Sequence, residues 1–437
     1  MERNLEQRTK TITLESIEGY SYSELIVRLS TLLYTRVKCG SRSVVTVLEV
    51  INEVLGEALG ETFGDFSSEI PCHNTILIWM KKCGLKVYET AGESVQDINY
   101  ALVTDESMMI GSEKLLLTLA IPAEHQGQPL SCKDVSVIDI AVAKSWNGEN
   151  IGLQLQKASE KVGHVPDFVI TDNASVMNKG VRCAKMIHHH DISHSLAMYL
   201  ERGYGKEFDF KKYVKLMAKS KFKYNMTKIA YLLPPTQRTI ARFMNLSNWV
   251  KWSSRILDKY DTLNVDVQKA FLFIPANAAL IDELSSVMQC VERIEHLCKH
   301  NGLSKETVYE CEKSIQTHLL SGNSRMICIG ENFNEFLRKE VMLFEQETAP
   351  RNNSSDIIES VFGKYKAIKS PNKLNGVTTS VLYLPIYTKL ANKDQAKGFN
   401  FKTALEDTRI AHINDWAKNN LTPNLEQLRR KCLQKTG

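Results

Sequence analysis

The residues with the clearest chemistry are carboxylates that close short apolar runs. Tyr100-Ala101-Leu102-Val103-Thr104-Asp105 ends on an acid, and so does Phe168-Val169-Ile170-Thr171-Asp172. A strand ending in Thr-Asp delivers its carboxylate to the open end of a sheet, where ligands of α/β proteins bind. The competing account is local: either Asp can cap the turn or helix that follows, as Asp172-Asn173-Ala174-Ser175 would allow. Catalytic metal binding needs a third acid. Ser354-Ser355-Asp356-Ile357-Ile358-Glu359 opens like a capped helix, with Ile357, Ile358, Val361 and Phe362 on its apolar side. Glu359 falls amid that apolar set, where a carboxylate is costly unless paired or metal-bound, whereas the helix dipole alone accounts for Asp356. His188-His189-His190-Asp191 is a second polar cluster. In a strand His188 and His190 share a face and Asp191 ends it. Zinc sites draw ligands from separate elements, so a histidine-rich strand end beside a nucleic-acid cleft is expected, with Asp191 as an accessory carboxylate.

The elements that must position these residues follow from periodicity. Lys114 to Ile121 and Val135 to Ala143 read as strands, with a turn at Gly111-Ser112 after Met108-Met109-Ile110; Glu149 to Val162 reads as an amphipathic helix. The order is strand, strand, strand, helix, strand. Upstream, residues 20–90 read as helices. Ser23 to Arg36 sets Leu25, Ile26, Leu29, Leu32 and Leu33 on one stripe. Val44 to Leu59, capped by Ser41 or Ser43, turns Val45, Leu48, Ile51, Val54 and Leu55 inward. Gly64-Asp65 breaks the chain, and a third helix from Pro71 to Cys83 stops at Gly84. Helix, turn, helix suits DNA recognition and equally a small bundle. Lys81, Lys82 and Lys86, with polar His73, Asn74 and Thr75, favour DNA.

A chain of 437 residues is long enough for two to four domains. With 43% hydrophobic and 24% charged residues, and only 22 Gly and 11 Pro, collagen-like, low-complexity and largely disordered classes are excluded. The ten cysteines include no C-x-x-C pair, so zinc-finger and thioredoxin-type motifs are excluded and reduced, mostly buried thiols are expected. The longest apolar run, Leu115 to Ala123, falls short of the ~18 residues of a membrane span. Met1-Glu2-Arg3 lacks a signal-peptide core, so a cytoplasmic or nuclear chain is expected. The net charge of +5 is unevenly placed: residues 206–255 hold 12 Lys and Arg against Glu207 and Asp209, and residues 360–437 hold 14 against 5 acids. Lys221, Lys223, Lys228, Arg238, Arg242, Lys251 and Arg255 interleave with Phe222, Tyr224, Tyr231, Phe243, Trp249 and Trp252. Cations can neutralise phosphates and aromatics can stack bases, although single aromatics such as Phe243 are expected in the core.

Together these features resemble the DDE transposases of bacterial insertion sequences, which carry an RNase H-like catalytic domain. The resemblance rests on Val103-Thr104-Asp105-Glu106-Ser107, on Val169-Ile170-Thr171-Asp172-Asn173 and on the block from Ser355 to Lys366. Arg242-Phe243-Met244-Asn245-Leu246 and the segment from Ile70-Pro71 to Gly84-Leu85 add to it. It implies an α/β fold: an all-α helix-turn-helix domain in 1–92, an RNase H-like core begun in 93–205 and completed in 351–437, and a large helical insertion with a basic surface in 206–350. It implies that Asp105, Asp172 and Glu359 are the catalytic metal ligands for two Mg²⁺ or Mn²⁺ ions, Asp105 shared between them. It implies DNA contact by Lys81, Lys82, Lys221, Lys223, Lys228, Arg238, Arg242, Lys251, Arg255, Lys364 and Lys366. The partners implied are double-stranded transposon ends and target, held by a homo-oligomer at the bacterial nucleoid in the cytoplasm, with no membrane. Asp105 and Asp172 lie 67 residues apart, whereas Asp172 and Glu359 lie 187 apart, the excess being the insertion. Two other accounts stay open: a metal-dependent nuclease of RNase H-like fold, and a non-catalytic helix-turn-helix regulator. Convergence of the three carboxylates is what separates them.

Overall fold

Helical spacing of apolar residues and short β-branched runs divide the chain into the elements that follow. The computed structural model describes residues 17–59, 66–107, 109–236, 243–344, 349–368, 376–423 and 425–434. The chain begins with α1 (Glu24–Arg36), α2 (Ser41–Leu59) and α3 (His73–Glu89). Next come β1 (Tyr100–Glu106), β2 (Lys114–Pro122), β3 (Ser136–Ala143), α4 (Gly148–Val162), β4 (Val169–Thr171), α5 (Ser175–Ala184) and β5 (His188–His190). A helical stretch follows: α6 (Ile192–Tyr204), α7 (Phe208–Tyr224), α8 (Leu246–Lys259), α9 (Val265–Ala270), α10 (Ala278–Asn301), α11 (Lys305–His318) and α12 (Ser324–Met342). The chain closes with α13 (Asp356–Ile368), α14 (Tyr383–Ala391), α15 (Lys393–Gly398), α16 (Phe401–Asp407), α17 (Ile410–Asn420) and α18 (Leu425–Gln434). The protein is α/β and mostly helical, and the expected order of three strands, helix and strand holds. The Gly64-Asp65 break, Met108, Arg238 and Arg242 lie outside the described residues.

Two compact units emerge. The first draws on Met1–Ile121, Leu130–Pro166 and Asp356–Gly437, the second on Pro122–Pro129 and Asp167–Ser355.

In the first unit residues 17–87 share one apolar core with residues 383–405. α1 turns a different face inward from the expected one: it buries Ile26, Val27, Ser30, Thr31, Tyr34 and Thr35, while Leu25 stays 39% exposed. The buried hydroxyls are satisfied within the helix, Ser30 Oγ donating to the Ile26 carbonyl at 2.6 Å and Thr31 Oγ1 to that of Val27 at 2.7 Å. In α2, Val44 and Leu48 are buried, and Val54, expected inside, is exposed. α3 does not stop at Gly84. It runs on to Glu89, and Gly84 inside it lets the backbone of Leu382 press against the helix; a Cβ on Gly84 would lie 1.9 Å from the Leu382 carbonyl oxygen. The strands lie in the order β3-β2-β1, with β2 and β3 antiparallel and a bulge between Thr118 and Leu119. α4 packs on β3 and α13 on β1.

In the second unit β4 and β5 pair in parallel, joined by α5. Parallel neighbours require such a crossover, and their carboxyl ends then open on one side. The helices α6 to α12 enclose a single core, with α10 packed on α8 and α11, and α12 on α6 and α11. The described part of 206–350 is mostly helical, as expected, with turns and short irregular links between the helices. One stretch, Val265–Asn301, is long and apolar enough by length and composition to cross a membrane, which no unbroken apolar run announces. It comprises α9, a 3₁₀ turn at Pro275 and α10, and supplies Leu280, Ile281, Leu284 and Val287 to the core. Four of the ten cysteines are buried and four exposed, so the thiols are not mostly buried.

Candidate functional site

β1 carries Asp105 at its carboxyl end. The side chain is partly buried, and its Oδ1 accepts the backbone N–H of Glu106 at 2.7 Å. Glu106 itself pairs with Lys114 at 2.5 Å. α13, packed on β1, buries Ile357, Ile358, Val361, Phe362 and Tyr365. Glu359 is exposed, as is Asp356. The sequence argument that placed Glu359 among buried apolar side chains is therefore corrected: its carboxylate stands in water and incurs no burial cost. What remains is an exposed acid on the solvent face of a helix seated against the strand of Asp105.

Asp172 follows β4 in the second unit. It is partly buried, and its Oδ1 accepts the N–H of Ala174 at 3.0 Å, the local turn that the capping account describes. A polar network extends from there. Asn173 donates to Ser195 Oγ at 2.9 Å, and Ser195 Oγ donates to the Asp191 carbonyl at 2.7 Å. Thr171 Oγ1 donates to the Asp172 carbonyl at 2.9 Å, so toward His188 Nε2, 2.8 Å away, it acts as acceptor and fixes that tautomer. Burial first, and the neighbouring His190 second, push the His188 imidazole down to about 4. His189 and His190 donate from Nδ1 to the two oxygens of Glu340, at 2.5 Å and 3.0 Å. Burial raises Glu340, but the hydrogen bonds from these two imidazoles outweigh it and hold the carboxyl below its ordinary range.

Asp191 is fully buried and caps α6. Its Oδ1 accepts the backbone N–H of His194 at 2.7 Å and His194 Nδ1 at 2.8 Å; its Oδ2 accepts the N–H of Ser355 at 2.6 Å and Ser355 Oγ at 3.0 Å. Burial raises this group too, yet those bonds, led by His194, carry it below the usual carboxylate value. With four donors on two oxygens, Asp191 holds structure together and offers no oxygen to a metal. Sequence reading missed Glu340 and the bond between Ser355 and Asp191; Glu340, one turn beyond Phe336 and Leu337 on α12, carries no local signal that sets it apart from a surface acid.

The basic residues divide by environment. Lys82, expected on DNA, is 8% exposed; its Nζ hydrogen-bonds the Tyr20 hydroxyl and reaches the Leu405 carbonyl at 3.5 Å, so it serves the first unit's core. Lys81 is half-buried, and burial lowers its pKa. Lys86 pairs with Asp407 at 2.7 Å. In the second unit Lys223, Lys228 and Arg255 are exposed, Lys221 bonds Thr236 at 2.9 Å, and Lys251 pairs with Glu292 at 2.5 Å. Phe222 and Tyr231 are 84% and 82% exposed beside them, whereas Phe243 and Trp249 are core residues. Lys366 is exposed on α13, and Lys364 lies over the Tyr387 ring.

Among the described residues no three His, Cys, Asp or Glu side chains come together as a single metal ion would require. A cage built from protein alone is thus not on offer. Mg²⁺ commonly keeps several waters and binds through one or two carboxylates plus substrate phosphates, and accessible acids at strand ends suit that mode. No protein-family model matches the sequence, and no curated protein is found to resemble it.

Proposed function

We propose that the protein is a DNA transposase that cleaves and joins strands through Asp105, Asp172 and Glu359 on an RNase H-like core. The observation that carries this reading is the placement of two partly accessible carboxylates at the carboxyl ends of β1 and β4, one of them beneath a helix that presents Glu359 to solvent. Ends of this kind are where α/β sheets bind ligands. Asp105, Asp172 and Glu359 would hold Mg²⁺ or Mn²⁺, which when bound supplies an activated oxygen nucleophile and stabilises the leaving oxygen. The chain's own part is to fix the carboxylates: the N–H groups of Glu106 and Ala174 each anchor one oxygen of Asp105 and Asp172. Lys223, Lys228 and Arg255, with exposed Phe222 and Tyr231, supply cations and stacking surfaces for DNA in the second unit. On this reading the working form is a homo-oligomer on two double-stranded transposon ends in the bacterial cytoplasm.

The test uses end-labelled duplex DNA containing the element's own terminal sequences, with Mg²⁺ or Mn²⁺. Metal-dependent nicking or joining by the parent chain, lost in both Asp172→Asn and Glu359→Gln, is expected. Cleavage that survives both substitutions overturns the assignment of the acids. DNA that is bound but never cut by the parent chain overturns the enzyme and leaves a DNA-binding regulator.

A further inference from the structure

A cavity of about 870 Å³ lies within the first unit, lined by the end of α1, the start of α2, one face of α13 and the segment leading into α14. That size is in the range of small-molecule sites. Its apolar surface combines three tyrosines with Leu77, Ala367 and Ile368. Tyr34 stands 6.3 Å from Tyr387, ring planes 24° apart, and edge-on to Tyr383 at 6.0 Å. Burial raises the pKa of all three phenols, so none carries negative charge near neutrality. The polar lining is hydroxylic and cationic: Ser360, Thr378 and Ser380 with Lys38 and Lys364, and no Asp or Glu lines the cavity among the described residues. Lys364 Nζ lies 5.3 Å from the centroid of the Tyr387 ring. Lys38 sits at φ 60°, a left-handed conformation that a lysine keeps only where its surroundings impose it.

Aromatic rings answer a planar base, hydroxyls answer a sugar, and two unopposed lysines answer a phosphate. We propose that this cavity binds a nucleotide, its base against the tyrosines and its phosphate between Lys38 and Lys364. The nucleotide comes either free or as one unit of a single strand. The site does not depend on the three candidate acids, so it stands or falls apart from DNA cleavage.

Gly363 makes the test clean. It lines the cavity from the middle of α13, and a Cβ added there meets nothing within 4 Å. Gly363→Phe therefore adds a ring at the cavity wall with free space for its Cβ. Full-length protein is titrated with the fluorescent N-methylanthraniloyl ester of AMP and, separately, with a fluorescein-labelled, 5′-phosphorylated tetradeoxyadenylate. Saturable binding of at least one probe is expected, weakened ten-fold or more in the double variant Lys38→Ala, Lys364→Ala and abolished in Gly363→Phe at unchanged circular dichroism. Binding of the mononucleotide alone identifies a free ligand, and binding of the oligonucleotide alone identifies a single strand. Failure of both probes at millimolar concentration, or equal affinity in the lysine variant, overturns the proposal; the lysine variant decides should Gly363→Phe not fold.

Discussion

Asp191 and Asp139 are both buried carboxylates, one in each unit, and they answer burial in opposite ways. Asp191 meets four hydrogen-bond donors and is held below the usual carboxylate range. Asp139, on β3, accepts a hydrogen bond from the Tyr88 hydroxyl at 3.1 Å, while its Oδ2 is buried without a partner among the described residues. Burial pushes Asp139 up, and the pull of Lys161 does not reverse it. Lys161 spends itself elsewhere: its Nζ donates to the Ile138 carbonyl at 2.8 Å and lies 3.4 Å from the centroid of the Tyr88 ring, and burial lowers it to about 8. Burial alone thus fixes neither the sign of the shift nor the role of the acid. The number of donors aimed at the carboxylate decides both.

The sharpest way to break this comparison is to make the same substitution at both sites, starting where the larger effect is expected. In Asp191→Asn the new amide NH₂ must face either the donors of His194 or those of Ser355, whichever way it turns. Donor opposed to donor in a fully buried site should cost about 3 kcal/mol, read as a lowered urea midpoint by circular dichroism. A loss below about 1 kcal/mol would mean that the four bonds contribute little and that the contrast with Asp139 is empty.

A middle-sized effect concerns pH in the second unit. His188 titrates at about 4 in the folded chain against 6.5 when unfolded. Between those values the unfolded chain binds a proton that the folded chain refuses, so stability falls as pH drops through that window. For this partly buried ring the loss should reach about 2 kcal/mol. Glu340, lowered from 4.5, adds loss of the same sign below its unfolded value. Urea midpoints at pH 7, 6 and 5 should fall steadily in the parent and more gently in His188→Gln; parallel slopes would remove His188 from the account.

These contrasts also mark how far sequence reaches. The strands ending at Asp105 and Asp172 were legible because β-branched and apolar runs are local signals, and so was β5 with Asp191 at its end. Glu359 was placed on the wrong side of α13 although the 3.6-residue period, followed through Ile358, Val361, Phe362 and Tyr365, leaves 359 with exposed Gly363 and Lys366. Lys82 and Glu340 are different. Local pattern makes Lys82 a basic helix residue, and only packing brings it to the Leu405 carbonyl, 323 residues on. Glu340 acquires meaning from His189 and His190, about 150 residues earlier. The cavity of Tyr34, Tyr383 and Tyr387 was illegible for the same reason, since its walls come from opposite ends of the chain.

The smallest expected effect completes the pair. Asp139→Asn keeps an oxygen to accept the Tyr88 hydroxyl and replaces the unpartnered Oδ2 by a neutral NH₂, so no donor is set against a donor. The parent's raised pKa means that the folded state holds its proton more tightly than the unfolded state. Stability from this group is therefore full below pH 3.8 and lost as pH rises through the folded value. An amide cannot ionise, so the variant should match the parent within about 1 kcal/mol at neutral pH or exceed it, and should lose less stability on raising pH from 4 to 7. Lys161, deprived of the attraction of the Asp139 carboxylate, should titrate below about 8. A cost at neutral pH equal to that of Asp191→Asn would show that Asp139 is held by partners as firmly as Asp191, and the distinction between a satisfied and an unsatisfied buried acid would not apply to this protein.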